Sequence, residues 1–200
     1  GTLGELRLRV PGRHNLLNAL AAVLVGLELG LDVGAITSAL REFQGADRRL
    51  QVRGDARGVL VIDDYGHHPT EIAAVLDAAR AWLGRRLVVV FQPHRYSRTA
   101  ALLDAFGPAL AGADQVVMTD IYPAGEPPIP GATLDRLAEA VRPALGSRLH
   151  IAPSLDDACA ATLDIVRPGD AVITLGAGSI SSLGPRLLAA LSDGGTGADA

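Results

Sequence analysis

The segment 62–71 reads IDDYGHHPTE and places two acids and two histidines directly after an apolar run. Asp63 and Asp64 can each accept hydrogen bonds from a pair of neighbouring hydroxyls, as a ribose presents them. His67 and His68 carry side chains that gain or lose a proton near neutral pH. These residue types favour a site that binds a ribose and handles a proton of an amine or a phosphate.

A turn between a strand and a helix would explain part of the same segment. Gly66 would supply the bend, Pro69 would occupy the first helical turn, and one acid or histidine would cap the helix. This alternative leaves a second acid and a second histidine unexplained, so we interpret the segment as a functional site. Neighbouring histidines in an extended segment point in opposite directions, and we therefore predict no metal site here.

A second polar group, QPHRYSR at 92–98, follows the next long apolar run. Arg95 and Arg98 are three positions apart, so in a first helical turn they share one face. Two guanidinium groups at one place can hold a carboxylate or a phosphate through paired hydrogen bonds. The alternative is a pair of solvated surface arginines. Because the segment follows a strand beside the first site, we favour the clamp.

The start of the first long helical pattern, HNLLNALAAVLVGLELG from His14, forms a third group. Asn15 and Asn18 lie one turn apart, and an asparagine amide can both donate to and accept from a purine edge. The same spacing suits a helix cap at Asn15 followed by an ordinary polar face, and spacing alone does not decide. Arg48 or Arg49 could face a phosphate in a cleft, although a solvated arginine pair is the simpler reading.

Two further motifs give weaker signals. The GAG run at 176–178 follows the last apolar run, but Ser181 stands where a dinucleotide-binding fingerprint needs its third glycine. A tight strand-to-helix turn is therefore the better interpretation. The segment YPAGEPPIPG at 122–131 reads as a proline-stiffened loop whose Tyr122 and Glu126 could line a cleft.

The polar segments described above must be positioned by strands and helices. Short apolar runs such as VLVI and LVVVF are continuous, as in parallel strands buried on both faces, and they alternate with helical patterns. The pattern predicts an α/β fold with a Rossmann-like, doubly wound, mostly parallel sheet over 48–192. Ligands bind at the carboxyl ends of the strands in such sheets, where the two polar loops fall. The predicted strands are 5–10, 49–53, 59–62, 87–91, 115–119, 148–151 and 171–175, and the predicted later helices are 69–83, 99–111, 133–142, 154–166 and 180–191.

The first 47 residues do not show this alternation of strands and helices. They contain one strand-like stretch and two helical patterns, the second at 33–43, which is too little for a self-sufficient domain. We interpret residues 1–47 as a short partial α/β segment at the end of a larger unit. The tail 193–200, DGGTGADA, is predicted to be disordered.

Composition excludes several classes of protein. A net charge of −4 without a basic tail argues against nucleic-acid binding. The single Cys159, the lack of an apolar run long enough for a membrane span and the lack of a signal peptide predict a cytoplasmic protein that does not bind membranes. All 18 basic residues are arginine. Without lysine, a Walker-type phosphate loop cannot form, so another segment must hold the phosphates of any bound triphosphate.

Five stretches together resemble one family. GRHNLLNALAA, FQGADRRL, DDYGHHPTE, FQPHRYSRT and YPAGEPPIPGA are similar, in this order, to the Mur ligases of peptidoglycan synthesis, and within them to the members that attach L-alanine. The family has an N-terminal domain for the UDP sugar, a central domain with an ATP phosphate loop, and a C-terminal Rossmann-like domain. The resemblance implies that residues 1–47 end the central domain, that the chain is a fragment inactive alone, and that a hinge near 45–49 moves on ligand binding.

The resemblance also implies a reaction and its participants. ATP phosphorylates the carboxylate of UDP-N-acetylmuramate, and the amine of L-alanine attacks the acyl phosphate. ATP and Mg²⁺ are the implied cofactors, with the metal ligands mostly outside this chain. The implied ATP-binding residues are His14, Asn15, Asn18, Arg49 and Asp64, and the implied amino-acid-binding residues are Tyr65, His67, His94, Arg95 and Arg98, of which His67, Arg95 and Arg98 are implied to be catalytic.

Two alternatives remain open. The first is the related recycling ligase, which attaches a whole tripeptide to the same sugar by the same chemistry. The second is a non-catalytic module that uses the α/β domain to bind a nucleotide or a partner. The QPHRYSRT stretch resembles the alanine-adding members more than the recycling ligase.

Overall fold

The computed structural model describes residues 4–193, apart from the side chain of His14. Two helices, α1 (Arg13–Glu28) and α2 (Val33–Glu42), precede an alternating run of strands and helices. Residues 194–200, most of the tail predicted to be disordered, lie outside the described part. The strands are β1 (Gln51–Ala56), β2 (Val59–Asp64), β3 (Leu87–Phe91), β4 (Gln115–Met118), β5 (Leu149–Ile151) and β6 (Ala171–Leu175). The later helices are α3 (Pro69–Leu83), α4 (Tyr96–Ala101), α5 (Leu103–Leu110), α6 (Leu134–Leu145), α7 (Leu155–Ile165) and α8 (Leu183–Asp193).

The six strands form one sheet in the order β1-β2-β6-β3-β4-β5. Strand β1 pairs with β2 in antiparallel fashion, and the other neighbours pair in parallel. This arrangement confirms the predicted α/β fold with a mostly parallel sheet. Because β6 lies between β2 and β3, the loops that follow these three strands emerge side by side at one edge of the sheet.

Helices cover both faces of the central strands. Every residue of β3 and of β6 is buried, which explains why their sequences are continuously apolar rather than alternating. Val89 and Phe91 pack on one face with α3, α5 and α6, and Val88 and Val90 pack on the other with α7 and α8. Each fully buried side chain of this size stabilises the fold by about 1.5–3 kcal/mol. The carboxyl edge of the sheet is therefore held by a well-packed core.

Three predictions about individual elements are wrong. The described residues 4–12 contain no strand, because an alternating pattern forms a strand only where a partner strand supplies its hydrogen bonds. The helical pattern predicted over 99–111 is divided between α4 and α5 at Leu102. Asn15 does not cap α1. The cap position is Gly12, and Asn15 Nδ2 instead donates to the carbonyl of Pro11 at 2.7 Å.

The two leading helices are packed less completely than the sheet. Among the described residues of α1 only Ala19 and Gly26 are buried, and within α2 only Ile36, which lies so close to Gly26 that a Cβ there would meet its Cδ1 at 2.7 Å. Seven large apolar side chains of α1 and the turn after it are exposed, namely Leu16, Leu17, Leu20, Leu24, Val25, Leu29 and Leu31. The division of the chain into units at residue 47 stays a prediction. None of the helices described here has the length and apolar character needed to cross a membrane.

Candidate ligand-binding and catalytic site

The carboxyl end of β2 is fixed by a buried acid. Asp63 accepts hydrogen bonds from Thr174 Oγ1 and from Arg48 Nε, both at 2.8 Å. The same arginine donates from Nη2 to the carbonyl of Gly176 in the loop after β6. The Arg48 side chain is only 21% exposed, so the reading of Arg48 as a solvated residue is wrong. Together these bonds tie the segment before β1 to the ends of β2 and β6.

The neighbouring acid, Asp64, also points inward. It is 1% exposed, and its oxygens accept the backbone N–H of Leu50 at 2.8 Å and of Gly66 at 2.7 Å. Burial raises the pKa of the Asp64 carboxyl above its ordinary value, and the two backbone hydrogen bonds act against that rise. In this arrangement the carboxylate shapes the loop and offers no exposed surface to a ribose.

The two adjacent histidines do different things. His68 caps α3, because its Nδ1 accepts the backbone N–H of Thr70 at 3.3 Å, and Glu71 accepts the backbone N–H groups of both histidines. His67 Nδ1 lies 2.9 Å from the carbonyl oxygen of Tyr65. A carbonyl only accepts, so in the neutral ring Nδ1 carries the proton and Nε2 keeps its lone pair. One histidine thus fits the structural reading of the segment, and the other is available for chemistry.

The loop after β3 brings a second histidine to the first. The ring centroids of His67 and His94 are 5.5 Å apart. Arg98 Nη1 donates to the backbone carbonyl of His94 at 3.0 Å and lies 3.3 Å from its Nδ1. Burial, the neighbouring His67 and the positive charges of Arg98 and Arg95 lower the pKa of His94, which favours the neutral ring that can accept from Arg98. We call Tyr65, His67, His94, Arg95 and Arg98 the histidine–arginine cluster.

The predicted arginine clamp is only partly present. Arg95 precedes α4 rather than lying inside it, so it does not share a helical face with Arg98. Its guanidinium group lies 3.6 Å from the carboxylate of Glu126, whereas Arg98 contacts His94. The structure therefore places both arginines in one cluster and attaches them to different partners.

A loop between β4 and α6 completes the cluster. The rings of Tyr122 and His94 stack with centroids 5.5 Å apart and an interplanar angle of 15°. Glu126 accepts hydrogen bonds from Ser97 Oγ at 2.6 Å and from Ser97 N at 3.0 Å. These bonds hold the pKa of Glu126 below its ordinary value. The proline-rich segment at 122–131 thus lines the site, as its Tyr122 and Glu126 suggested.

Glycines in the loop after β6 allow it to pack closely against the loops after β3 and β4. A Cβ at Gly176 would lie 2.6 Å from the carbonyl oxygen of Gln92, and one at Gly178 would lie 2.5 Å from the ring of Tyr122. The segment then enters a 3₁₀ turn at Ser179–Ser182, whose Ile180 N–H is accepted by Gln92 Oε1 at 3.0 Å. The glycines are required by close packing of loops, in agreement with the tight-turn interpretation.

A cavity of about 630 Å³ lies between the leading helices and α3, and we call it the interhelical cavity. Asn15 and Asn18 line it from α1, Arg49 from the junction between α2 and β1, and Glu71 from α3. Its volume falls within the range of small-molecule sites. Three of the five predicted ATP-binding residues therefore meet here. Asp64 is not among the lining residues, and the side chain of His14 lies outside the described part of the chain.

The interhelical cavity and the histidine–arginine cluster adjoin each other. Glu71 lines the cavity, and its Oε2 lies 3.7 Å from His67 Nδ1. Arg49 also lines the cavity, and its guanidinium carbon lies 5.9 Å from the ring centroid of Tyr65. A molecule in the cavity would thus have the cluster as its neighbour. Within residues 4–193, no group of three or more His, Cys, Asp or Glu side chains is arranged to hold a metal ion.

Some residues of this site escaped the sequence reading. Gln92 and Ser97 stand inside a stretch that was singled out, yet their partners Ser179 and Glu126 are 87 and 29 positions away. The sequence favours a solvated Arg48, because nothing in it pairs this residue with Asp63. The signal that could have found these contacts is strand order, which brings the loops after β2, β6, β3 and β4 together.

An α/β sheet whose carboxyl edge carries a cationic cluster beside a nucleotide-sized cavity defines a ligand-binding domain of the doubly wound class. The family described as "Mur ligase, glutamate ligase domain" matches residues 48–178. Since the match spans more than half of the chain, the chain belongs to the Mur ligase family.

Curated relatives point to one branch of the family. A protein of Syntrophobacter fumaroxidans named UDP-N-acetylmuramate–L-alanine ligase is 50% identical over 197 residues, which are 98% of this chain and 42% of that protein. One of the same name from Anaeromyxobacter dehalogenans is 52% identical over 190 residues, 94% of this chain and 41% of that protein. The chain thus spans about two fifths of the length of these relatives.

Solved structures of two Mur ligases superpose on this chain. The UDP-N-acetylmuramate-alanine ligase of Thermotoga maritima superposes with a TM-score of 0.79 at 31% identity, covering 96% of this chain and 40% of that one. A murein peptide ligase of Psychrobacter arcticus gives a TM-score of 0.72 at 27% identity, covering 94% of this chain and 39% of that one.

Proposed function

We propose that this chain supplies the amino-acid site and part of the ATP site of a ligase that joins L-alanine to UDP-N-acetylmuramate in the cytoplasm, during peptidoglycan synthesis. The observation that carries the proposal is the direct contact between the interhelical cavity and the histidine–arginine cluster, made through Glu71 and Arg49. A ligase needs a nucleotide and an amine held side by side, and this geometry offers both places. The identity of about half with L-alanine ligases supports the choice of amine.

The proposed reaction has two steps. The γ-phosphoryl group of ATP is transferred to the muramate carboxylate, giving an acyl phosphate and ADP. The amine of L-alanine then attacks the acyl carbon, and the tetrahedral intermediate expels inorganic phosphate as the amide forms. Little covalent work is needed from side chains in such a reaction, so positioning and charge stabilisation provide most of the catalysis.

The cluster suits the second step. Arg95 and Arg98 supply the positive charge for the carboxylate of L-alanine, and Tyr65 forms the wall next to the cavity. The Nε2 atom of His67 keeps its lone pair because Nδ1 is bonded to the Tyr65 carbonyl, so it can accept the proton that the amine loses on attack. His94 carries no proton on the nitrogen that faces Arg98, and therefore orients that guanidinium group rather than competing for the substrate.

The interhelical cavity suits the nucleotide. Asn15 and Asn18, with His14, are proposed to border the adenine, and Arg49 to approach the phosphates. Asp64 is the least supported member of this set, because a ribose could reach its carboxylate only after the hydrogen bonds from Leu50 or Gly66 are exchanged. Mg²⁺ finds no fitting group of ligands among the described residues, so its ligands, the phosphate loop and the UDP-sugar site are proposed to belong to N-terminal and central domains.

An activity assay on the intact protein tests the proposal. The protein would be incubated with ATP, UDP-N-acetylmuramate and one of two amines, L-alanine or the tripeptide L-alanyl-γ-D-glutamyl-meso-diaminopimelate, while phosphate release and product mass are measured. We expect turnover with L-alanine and none from the 200-residue chain alone. Turnover with only the tripeptide would favour the recycling ligase, and folded protein without amine-dependent turnover would favour a non-catalytic module.

A further inference from the structure

We propose that Glu126 is a positioning residue of the amino-acid site, which fixes Arg95 so that its guanidinium group can bind the substrate carboxylate. The inference rests on the ligase function proposed above. It concerns the loop Tyr122–Glu126, to which the reaction described there assigns no task.

The backbone of Arg95 is the first observation. Its φ is +75°, in the left-handed region that non-glycine residues avoid because Cβ crowds the following carbonyl oxygen. Such conformations persist only where the surroundings enforce them, and they concentrate at ligand-binding positions. Here the N–H of Arg95 donates to the carbonyl of Tyr122 at 2.8 Å, and its own carbonyl accepts from Thr99 N at 3.1 Å. The loop thus holds the arginine at the backbone.

The second observation is that Glu126 caps α4. The residue at the cap position of α4 is Arg95, which supplies no capping side chain. Glu126 does so from the loop, accepting from Ser97 N at 3.0 Å and from Ser97 Oγ at 2.6 Å. The same bonds lower the pKa of Glu126 and tie its charged carboxylate to Ser97. Its position relative to the first turn of α4 is therefore fixed.

The distance between the two charges is the third observation. The Arg95 Nη1 to Glu126 Oε1 separation is 3.6 Å, which is beyond hydrogen-bond range. The attraction therefore orients the guanidinium group without occupying an N–H donor. The Arg95 side chain is 49% exposed, so its donors remain accessible to a carboxylate arriving from solvent. Tyr122, at the other end of the loop, stacks on His94, so one loop positions two members of the cluster.

The test uses steady-state kinetics of the intact ligase. Glu126→Ala removes both the cap and the charge, and we expect the KM for L-alanine to rise about tenfold while the KM values for ATP and UDP-N-acetylmuramate change less than about twofold. Glu126→Gln keeps the side-chain volume, and its amide can still accept from Ser97 N and donate to Ser97 Oγ, while the charge is lost, so a rise of about threefold is expected. Glu139→Ala, which breaks an exposed pair with Arg136 on α6, is the matched control and should change none of these values.

A substrate analogue separates positioning from a merely structural effect. L-Alaninamide lacks the carboxylate, so the penalty of Glu126→Ala should vanish when this amine replaces L-alanine. The double variant Arg95→Ala/Glu126→Ala should also be no worse than Arg95→Ala alone. An equal penalty for both amines, or effects that multiply in the double variant, would overturn the inference, and Glu126→Gln decides if Glu126→Ala does not fold. If the wild type ligates L-alanine and the Glu126 variants have unchanged KM values, this inference is refuted and the proposed function is not. If the wild type does not ligate L-alanine, the proposed function is refuted together with this inference.

Discussion

The interhelical cavity and the histidine–arginine cluster are neighbours, yet they are built in different ways. The cluster follows strands whose residues are almost all buried, and its side chains contact one another, nearby backbone or Glu126. The cavity is bordered on one side by α3 and on the other by α1 and α2, whose described residues bury only Ala19, Gly26 and Ile36. Its polar lining residue Asn18 is exposed. One half of the site is thus preorganised within this chain, and the other has loosely held walls.

The difference teaches where binding energy should be lost on mutation. A side chain in the preorganised cluster is already oriented, so its removal should affect the ligand it faces and little else. A side chain on a loosely packed helix contributes less, because ordering the wall costs conformational entropy when the ligand binds. The following variants of the intact ligase test this contrast.

The largest effect is expected for Arg98→Ala. It removes one of the two charged donors proposed for the substrate carboxylate and leaves only Arg95, so the KM for L-alanine should rise about 10- to 100-fold. The KM for ATP should change less than about twofold. Arg167→Ala, an exposed arginine before the amino end of β6 and thus at the opposite edge of the sheet, is the control. Equal changes for both substrates would contradict the separation of the two regions.

A smaller effect of opposite selectivity is expected for Asn18→Ala. The loss of one neutral hydrogen-bonding amide at the cavity should raise the KM for ATP by about threefold to tenfold and leave that for L-alanine unchanged. Leu24→Ala on the exposed side of α1 controls for loss of helix packing. If Asn18→Ala raised the KM for L-alanine instead of that for ATP, the assignment of the cavity to the nucleotide would be wrong.

The smallest effect concerns pH. Because the pKa of His94 is lowered in the folded protein, the unfolded chain binds a proton at this residue more readily. Its contribution to stability is therefore present above the ordinary pKa of about 6.5 and is lost as pH falls below it. Urea denaturation between about pH 8 and 5.5 should show a shallower loss of unfolding free energy in His94→Asn than in wild type. His150→Asn on β5 is the control, and an unchanged slope in His94→Asn would contradict the prediction.

The sequence predicted the elements and the edge that carries the site, because continuous apolar runs identify buried parallel strands whatever their order. It could not predict which acids face a ligand. Asp63 turns inward because β6 lies beside β2 and because Arg48 folds back onto it, and both facts depend on contacts between residues far apart in the chain. Asp64 turns inward to the backbone of Leu50 and Gly66. Glu126 was visible as a lining residue, but its cap on α4 depends equally on tertiary contact.

The bonds of Arg48 have a consequence for how the molecule opens. Besides its side-chain contacts, its carbonyl accepts the N–H of Tyr65 at 2.7 Å, and Leu50 N donates to Asp64. The segment from Arg48 onward is thus hydrogen-bonded to the end of β2, and we expect the pivot near 45–49 to lie in the residues before it, around Gly45 with its φ of +101°. Swinging α1 and α2 about that point would carry Asn18 away while Arg49 stays beside Tyr65. A pair of spectroscopic labels at positions 18 and 49 would therefore report the width of the cleft directly.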